Sequence, residues 1–397
     1  MMKINILGGG ITGLFTAYYL LKDGHEVTVV DRCATPKTSI NNAGQIAGSS
    51  GISTSIGLSR ILSRYVGRMG PVYISPFEVL KNIGWFQLAL RTNMRRSYEA
   101  IEKFSRLSLE LYNQFLSQEA ISVDLVRGSM SLYENPLKAK EAARRLRGRL
   151  VDQAQVSKMG LIGYSNGVMF DNDLYVHPSK LVAELQGLVL KLGGRIRYEG
   201  TAELRTTTKG TASLSVNGEE LVGEVYVVTS GSWSSEVCKG IGYNPYVIPA
   251  RGLVLTLDTG GNRVVEGGAF LEDDGIDVVQ INRDTLRVAS FFEIVGFSEN
   301  ISRSRKKWLL ETVARHLVMS HELRLNSIQE GIGFRPCTPD QIPAIGRVPN
   351  HEDIYIATGN GRLGVTLAPA TARMLASIIS GENVSELCES FNPSRFS

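Results

Sequence analysis

The first thirty residues contain two apolar runs on either side of one amphipathic segment. KINILG (3–8) and HEVTVVD (25–31) have the composition of buried strands, and GITGLFTAYYLLKDG (10–24) has the spacing of an amphipathic helix. Strands that are apolar on both faces are typical of parallel sheets covered by helices. The sequence therefore opens with a predicted strand–helix–strand unit.

Helical periodicity recurs later in the chain. The segment KAKEAARRLRGRL (138–150) is a basic helix with six basic residues and one acidic residue. Such a helix usually presents a solvated face, and the alternative is contact with an anionic membrane surface or partner. The predicted helices cover residues 75–116, 138–150, 177–194 and 302–322, and a closing helix ends at Gly381.

Further strands are predicted in the middle and near the end of the chain. EELVGEVYVVTSG (219–231) and IYIATG (354–359) carry buried strands, whereas residues 247–292 show short strands separated by turn signals, a pattern typical of antiparallel sheets. We predict an α/β fold in which a discontinuous Rossmann-type cofactor domain carries an inserted α+β substrate domain with a mainly antiparallel sheet. The predicted boundaries are 1–80, 146–236 and 327–397 for the cofactor domain, and 81–145 and 237–326 for the substrate domain.

Composition excludes several classes of protein. Of the 397 residues, 43% are hydrophobic and 21% charged, which is ordinary for a globular protein, and a net charge of +4 is too small to indicate nucleic-acid binding. The four cysteines form no CxxC pair, so neither a disulfide framework nor a metal site is predicted. We find no signal peptide and no apolar run of membrane-spanning length, and we expect a cytoplasmic protein.

The first turn carries a nucleotide-binding pattern. Gly8, Gly10 and Gly13 form a Gly-x-Gly-x-x-Gly between the first strand and the helix, where glycines allow a tight turn and close approach of a pyrophosphate. The helix N-terminus offers oriented N–H groups to phosphates. Asp31 ends the second strand, where a carboxylate binds ribose hydroxyls. The pattern predicts a dinucleotide and leaves NAD and FAD as alternatives.

Near the C-terminus, GFRPCTPDQIPAIG (333–346) contains three prolines around Arg335. Proline fixes φ and lacks a donor, so we expect a stiff loop that is neither helix nor central strand. A guanidinium held by rigid neighbours binds a carboxylate in bidentate geometry. The alternative is a structural arginine paired with Asp340.

Six segments of the chain resemble the FAD-dependent D-amino-acid oxidase superfamily. Within it, the sequence is most similar to the D-amino-acid dehydrogenase small subunit and the glycine oxidase branch. The resemblance implies FAD at the junction of the two domains. The matching segments are GGGITG, TSINNAGQIAGS, VVTSGSWS, PARG, GFRPCTPDQIPAIG and IYIATGNGRLGVTLAP.

The resemblance also assigns site residues. Arg335 would bind the substrate carboxylate, and Asn360 would belong to the catalytic site. The sequence departs from the family at Asn360 and Val365, where relatives often have His and Trp, and at Asp31, where Glu is common. Cys337 is expected to be a packed, unreactive thiol. The predicted FAD-binding residues are Gly8, Gly10, Ile11, Thr12, Gly13, Asp31, Arg32, Ser39, Asn42, Ala43, Gly44, Gln45, Ala202, Ser230, Gly231, Trp233, Gly361, Arg362, Leu363, Gly364, Val365 and Thr366.

The reaction implied by the resemblance is hydride transfer from the Cα of a small amino acid to flavin N5, which gives an imine and then a 2-oxo acid. D-proline and D-alanine are candidate substrates. The electron acceptor would be oxygen, or else a quinone or partner subunit, and the basic helix allows peripheral membrane association. The alternatives are a glycine, sarcosine or 2-hydroxy-acid enzyme, or an FAD-binding subunit that needs a partner.

Overall fold

A computed structural model describes residues 1–48, 70–92, 94–198, 200, 202–207, 211–320, 324–382 and 387–396. Its strands are β1 (Lys3–Leu7), β2 (Glu26–Val30), β3 (Gln45–Ile46), β4 (Val72–Ile74), β5 (Val126–Tyr133), β6 (Arg149–Asp152), β7 (Asn166–Tyr175), β8 (Arg195–Arg197), β9 (Ala202–Thr206), β10 (Ala212–Val216), β11 (Glu219–Glu220), β12 (Val225–Val228), β13 (Ile248–Asp258), β14 (Gly268–Leu271), β15 (Ile276–Asn282), β16 (Thr285–Ile294), β17 (Arg324–Cys337), β18 (Ala344–Arg347) and β19 (Ile354–Thr358).

Helices connect and cover these strands. They are α1 (Ile11–Lys22), α2 (Lys37–Ile40), α3 (Pro76–Lys81), α4 (Ile83–Arg91), α5 (Met94–Gln118), α6 (Pro136–Leu146), α7 (Gln153–Lys158), α8 (Pro178–Lys191), α9 (Ser234–Val237), α10 (Arg303–His316), α11 (Gly364–Ile379) and α12 (Leu387–Phe391). No helix among the described residues is both long enough and apolar enough to cross a membrane.

Six of the described strands form a sheet in the order β18-β19-β12-β1-β2-β8. All neighbours are parallel except the edge pair β18 and β19. From β1 the chain adds strands first on one side, at β2 and β8, and later on the other, at β12 and β19. The carboxyl ends of β1 and β12 therefore lie at a topological switch point, where open α/β sheets bind ligands. This sheet and the helices that cover it confirm the predicted α/β fold class.

Helices and a small sheet bury the two faces of this parallel sheet. The apolar face of α1 packs with α5 and α11, and the Phe15 ring contacts the Tyr112 ring edge-on at 5.5 Å between centroids. On the other face, Leu204 and Leu214 of the three-stranded sheet β11-β10-β9 pack against Leu7 and Val228. Each such buried side chain stabilises the fold by about 1.5–3 kcal/mol.

The larger sheet has ten described strands and is mixed. Its main path is β17-β13-β16-β15-β14-β5-β7-β3, while β4 pairs with β16 and β6 pairs with β7. One face packs against α7 and α10 around Leu253, Val288 and Leu309. The strands within 247–292 pair antiparallel with their neighbours in that range, as the turn-rich pattern predicted.

Two helices end earlier than the sequence predicted. The basic helix α6 ends at Leu146, because Arg147 has φ 58° and Gly148 donates its N–H back to the Ala143 carbonyl. Helix α10 ends at His316, because Leu317 forms a backbone bridge with Leu161.

The loop predicted over 333–346 was wrong at both ends, since residues 333–337 belong to β17 and 344–346 to β18, and only 338–343 lie outside the strands. Residues 324–337 are a strand, and Pro336 lies opposite Pro249 of β13. The strand tolerates Pro336 because β17 is at the edge of its sheet, where a missing N–H donor leaves no strand on the outer side unpaired.

The domain boundaries stay a prediction. The pairing of strands into the two large sheets divides the chain differently from these boundaries. β7 and β17 were assigned to the cofactor domain, yet both hydrogen-bond in the ten-stranded sheet. Helix α5 was assigned to the substrate domain, yet Phe104 and Phe115 pack in the same core as α1.

Candidate active site

A cavity of about 800 Å³ lies at the carboxyl ends of β1 and β12, with walls from both large sheets. Every predicted site residue except Gly13 lines it. Those lining residues are Gly8, Gly10, Ile11, Thr12, Asp31, Arg32, Ser39, Asn42, Ala43, Gly44, Gln45, Ala202, Ser230, Gly231, Trp233, Arg335, Asn360, Gly361, Arg362, Leu363, Gly364, Val365 and Thr366. Ser49, the last residue of the segment TSINNAGQIAGS (38–49), lies outside the described residues.

The glycines of the first turn have distinct physical roles. Gly8 has φ +121°, and a Cβ there would lie 2.5 Å from the Thr229 carbonyl oxygen. A Cβ on Gly13 would lie 1.9 Å from the Gly8 carbonyl oxygen, closer than atoms approach. Gly13 therefore faces the strand rather than the cavity, and it allows α1 to start directly over β1.

Asp31 closes the turn between β1 and α1. Its Oδ2 accepts a hydrogen bond from the Gly9 N–H at 2.6 Å, and its Oδ1 accepts from the Cys33 N–H at 3.0 Å. The N–H of Ile11 donates to Ser39 Oγ at 3.0 Å, and Gly10 caps α1 without a side chain. The helix thus begins at the cavity with its positive dipole end, as a pyrophosphate site requires.

The end of β12 contributes the next part of the wall. Ser230 Oγ donates to the Leu7 carbonyl at 2.8 Å, and the Gly231 carbonyl accepts from Thr358 Oγ1 at 3.0 Å. The Arg32 guanidinium lies over the Trp233 ring, 4.5 Å from its centroid. These contacts join the ends of three parallel strands beside Asp31.

The segment before β3 is held against the start of α11. Asn42 Oδ1 accepts from the Gly44 N–H at 2.7 Å, and a Cβ on Gly44 would lie 2.0 Å from the Val176 carbonyl oxygen. Thr366 Oγ1 donates to the Gln45 carbonyl at 3.1 Å and accepts from the Ala47 N–H at 3.1 Å. Two segments more than three hundred residues apart in sequence therefore form one wall.

Sequence reasoning missed Arg287, which ties this segment to the ten-stranded sheet. Its Nη2 donates to the carbonyls of Ile40 and Asn42 at 2.9 and 2.7 Å. Burial lowers the pKa of Arg287 to about 10, so the side chain is charged at neutral pH. No motif marked it, because its partners are backbone carbonyls about 245 residues away in the chain.

Arg335 projects from β17 into the cavity and rests on Gly252 of β13. A Cβ on Gly252 would lie 2.4–2.6 Å from Nη1, Nη2 and Cζ of the guanidinium. Nη1 donates to the Phe291 carbonyl at 2.7 Å. In the described part of the chain, no carboxylate forms an ion pair with Arg335. Burial lowers its pKa to about 10, with a further contribution from Arg362, so Arg335 is a cation at neutral pH.

The alternative partner of Arg335 is engaged elsewhere. Asp340 accepts from Arg395, with Nε–Oδ2 at 2.7 Å and Nη2–Oδ1 at 3.1 Å.

The next cavity residue after Pro336, Cys337, is buried, and burial raises the pKa of its thiol to about 12. The thiol is therefore protonated at neutral pH, as the prediction of an unreactive cysteine requires.

Asn360 lies where three parts of the site meet. Its Nδ2 donates to Thr12 Oγ1 at 3.2 Å, and its backbone forms a bridge with Cys337. Asn360 thereby joins the first helix to the strand that carries Arg335. Its Oδ1 is buried without a hydrogen-bond partner, so the contact with Thr12 fixes the amide orientation from one side only.

The following turn leads into α11. Gly361 has φ +53° and begins a 3-10 turn, Gly361–Leu363, and α11 starts at Gly364. The start of this helix lines the cavity, and the Val365 carbonyl accepts from Tyr112 at 2.7 Å. Arg362 lies over the Phe270 ring, 5.5 Å from its centroid, and links this turn to β14.

Two carboxylates in the cavity were also missed. Asp277 of β15 and Glu272 after β14 both line it and are almost fully buried. Tyr175 donates to Asp277 Oδ1 at 3.1 Å, and Tyr133 donates to Glu272 Oε1 at 3.2 Å. Burial raises the pKa of Asp277 to about 7. The available signal was a charged residue within the apolar run of a strand.

The site combines features of two binding regions. The glycine turn, the α1 N-terminus and Asp31 fit a dinucleotide, and the close approach at Gly8 and Gly44 leaves smooth backbone for a flat ring. Beyond it, Arg335, Asp277 and Arg362 line the part of the cavity formed by the ten-stranded sheet. No cluster of metal-ligating side chains occurs within the ranges that the structure describes.

Comparison with known proteins agrees with this arrangement. A family model described as FAD dependent oxidoreductase matches residues 3–378. The D-amino acid dehydrogenase of Vibrio cholerae is 29% identical over 406 residues, covering 96% of this chain and 95% of that protein. The protein of the same name from Vibrio vulnificus is 27% identical over 410 residues, covering 96% of each.

Solved structures show the same fold at lower identity. L-proline dehydrogenase from P. horikoshii has a TM-score of 0.78 at 16% identity, covering 99% of this chain and 97% of that chain. Iminodiacetate oxidase from a Chelativorans species has a TM-score of 0.76 at 19% identity, covering 98% of this chain and 99% of that chain. Likeness at this level of identity shows the fold alone.

Proposed function

Because the chain belongs to the FAD dependent oxidoreductase family and FAD is its cofactor, we propose that it oxidises the carbon–nitrogen bond of a small D-amino acid. The observation that carries this proposal is the Arg335 guanidinium, a half-buried cation in the cavity without a carboxylate partner among the described residues. The names of the Vibrio relatives support the D-amino acid as substrate class.

Arg335 would bind the substrate carboxylate. Its planar fork matches two carboxylate oxygens, and such charge-assisted bidentate pairs are among the stronger protein hydrogen bonds. The Phe291 carbonyl and the flat contact with Gly252 fix the guanidinium before substrate arrives. A fixed carboxylate fixes the Cα of the substrate, and this orientation is a large part of catalysis in such reactions.

The predicted cofactor residues would hold FAD along the cavity. The turn at Gly8 and the start of α1 would bind the pyrophosphate, and Asp31 would bind ribose hydroxyls. The wall of Gly44, Gln45 and Thr366 would flank the ring. Bound FAD supplies the hydride acceptor, and the imine product then hydrolyses to a 2-oxo acid and ammonia.

The test is one visible spectrum of the purified holoenzyme, recorded without oxygen while D- and L-amino acids are added. Bleaching of the flavin by a D-amino acid is expected, and a flavin that no amino acid reduces would contradict the proposal. Arg335→Ala should keep its flavin and raise KM about 30- to 1000-fold, since the substrate carboxylate loses its charged partner in the cavity. A KM unchanged from the wild type would contradict the proposal that Arg335 binds the substrate carboxylate.

The electron acceptor and the location are part of the same proposal. Helix α6 buries Ala139, Ala142 and Leu146 and exposes its cations to solvent. We propose a cytoplasmic enzyme that associates with an anionic membrane surface through this helix and passes electrons to a quinone or partner subunit. Oxygen consumption compared with dye reduction, measured with one substrate, distinguishes this acceptor from oxygen.

A further inference from the structure

Asp277 is a cavity carboxylate with one oxygen engaged and one open. Tyr175 donates to its Oδ1 at 3.1 Å, and no described residue donates to its Oδ2. The side chain is only 8% exposed, and the residue lines the cavity. A carboxylate in such a nearly buried position is favourable only when its oxygens are hydrogen-bonded. Oδ2 can accept a hydrogen bond from a donor that enters the cavity.

The sheet places Asp277 close to the group that holds Arg335. Asp277 lies opposite Ala289 of β16, and Phe291, two residues further along β16, accepts from Arg335. Neighbouring strands are about 4.8 Å apart and two residues advance about 6.7 Å, so the Asp277 Cα lies roughly 8 Å from the Phe291 carbonyl. Asp277 and Arg335 both line the cavity, and this spacing of their backbones is small enough for one amino acid to lie between the two side chains.

An amino acid carries an ammonium group at neutral pH. The nitrogen lone pair must be free before the Cα–H bond can break with formation of a C=N bond, so one N–H proton must leave first. We propose that Asp277 accepts this proton from a substrate whose carboxylate is held by Arg335, an inference that rests on the proposed function. The N–H bond breaks, an O–H bond forms at Oδ2, and no electrons are exchanged with the protein.

The surroundings of Asp277 suit a proton acceptor at mildly alkaline pH. Burial raises its pKa to about 7, and the Tyr175 hydrogen bond and the charge of Arg362 oppose that rise. Above about pH 7 the carboxylate is ionised and accepts a proton; below it the acid form does not. The other charged groups near this position are Asp173 on β7, which acts on the Tyr175 hydroxyl, Glu272 after β14, which lines the same cavity, and Arg287 on β16, which lies opposite Val279, two residues from Asp277.

The first experiment measures flavin reduction by the best amino acid in wild type and Asp277→Asn across pH. In wild type, kcat/KM should rise through about pH 7 and then level. Asp277→Asn should lose this rise and be about 10²- to 10⁴-fold slower near pH 8, the usual contribution of a positioned base. The deficit should shrink as the pH approaches the pKa of the substrate amine, because the free amine then needs no acceptor.

A second variant shifts the pKa of Asp277 without removing its carboxylate. Tyr175→Phe keeps the ring, which lies against Gly268, and removes the hydroxyl that stabilises the ionised carboxylate. The rise in kcat/KM should move to higher pH. Infrared absorption of a protonated carboxyl should disappear near pH 7 in wild type, at higher pH in Tyr175→Phe, and be absent in Asp277→Asn. This signal needs no turnover.

Three outcomes decide between the inference and its alternatives. A rise near pH 7 that persists in Asp277→Asn overturns the inference. Loss of turnover in that variant confined to amino acids with basic side chains also overturns it, since Asp277 then binds a distal cation. A wild-type flavin that no amino acid reduces at any pH overturns the proposed function and the inference together, and the variants play no part in that result.

Discussion

The position of Arg335 depends on a residue that has no side chain. Gly252 lies two positions beyond Ala250, the β13 partner of Arg335, and its Cα gives the guanidinium a flat surface. The Phe291 carbonyl then orients one nitrogen of the guanidinium. Two neighbours that carry no charge thus hold this cation at the cavity wall.

Gly252→Ala should displace the guanidinium, because the new Cβ would lie 2.4–2.6 Å from its atoms. Overpacking of this kind costs about 1–3 kcal/mol. We expect KM for the amino acid to rise about 10- to 100-fold while flavin content stays at the wild-type level, as measured by steady-state kinetics and visible absorbance.

The matched control for this substitution is Gly187→Ala on α8, where a Cβ would meet nothing within 4 Å. That variant should have wild-type kinetics. If Gly252→Ala also shows an unchanged KM, the substrate carboxylate does not bind to the guanidinium of Arg335 in this position.

At the scale of elements, the junction of β1 and α1 is the tightest contact of the site. Gly13 approaches the Gly8 carbonyl, and Thr229 Oγ1 donates to the same carbonyl at 2.9 Å. The start of α1 is therefore fixed from two sides. Asn360, which donates to Thr12, adds a third contact from the other end of the chain.

Gly13→Ala should push α1 away from β1, since its Cβ would lie 1.9 Å from a backbone oxygen that has no freedom to move. We expect purified protein with strongly reduced flavin absorbance and a stability loss of about 1–3 kcal/mol in urea unfolding. Gly84→Ala on α4, where a Cβ meets nothing within 4 Å, is the control and should retain flavin. Full flavin content in Gly13→Ala would refute the role given to this contact.

At the scale of the whole molecule, charge is distributed unevenly. The net charge of +4 is small, yet α6 carries a local excess of cations on its solvent side. Some of that charge is balanced, since Lys138 forms an ion pair with Asp273 at 3.3 Å. The exposed cations Lys140, Arg144 and Arg145 remain the basis for the proposed membrane surface.

The triple variant Lys140→Glu, Arg144→Glu, Arg145→Glu should bind anionic vesicles much more weakly than wild type does. Each cation near an anionic surface contributes about 1 kcal/mol, roughly fivefold in affinity. Co-sedimentation with vesicles of anionic or neutral lipid measures this.

The control triple variant reverses three exposed lysines elsewhere, Lys103, Lys239 and Lys307, and changes net charge by the same amount. It should retain most of the vesicle binding. Equal loss in both triple variants would mean that net charge rather than α6 governs binding, and no binding by wild type would remove the membrane proposal.

The sequence by itself determined the local units of this protein. The glycine turn, α1 and β2 follow one another within thirty residues, so their pattern predicted the dinucleotide unit directly. The family resemblance added Asn360 and the role of Arg335, and the structure brings both to the same cavity. Their assigned roles stay proposals.

Only the tertiary structure decided what surrounds Arg335. The prolines of segment 333–346 predicted a loop, yet pairing with β13 makes residues 333–337 part of an edge strand, an arrangement that depends on a partner more than eighty residues away. Arg287 and Asp277 lie in no recognised motif, and the PARG segment that ends at Gly252 did not indicate its contact with Arg335, because each of these residues acts on atoms far from it in the chain. Local pattern records which face of a strand is buried, but the register between strands decides which buried residues share a cavity.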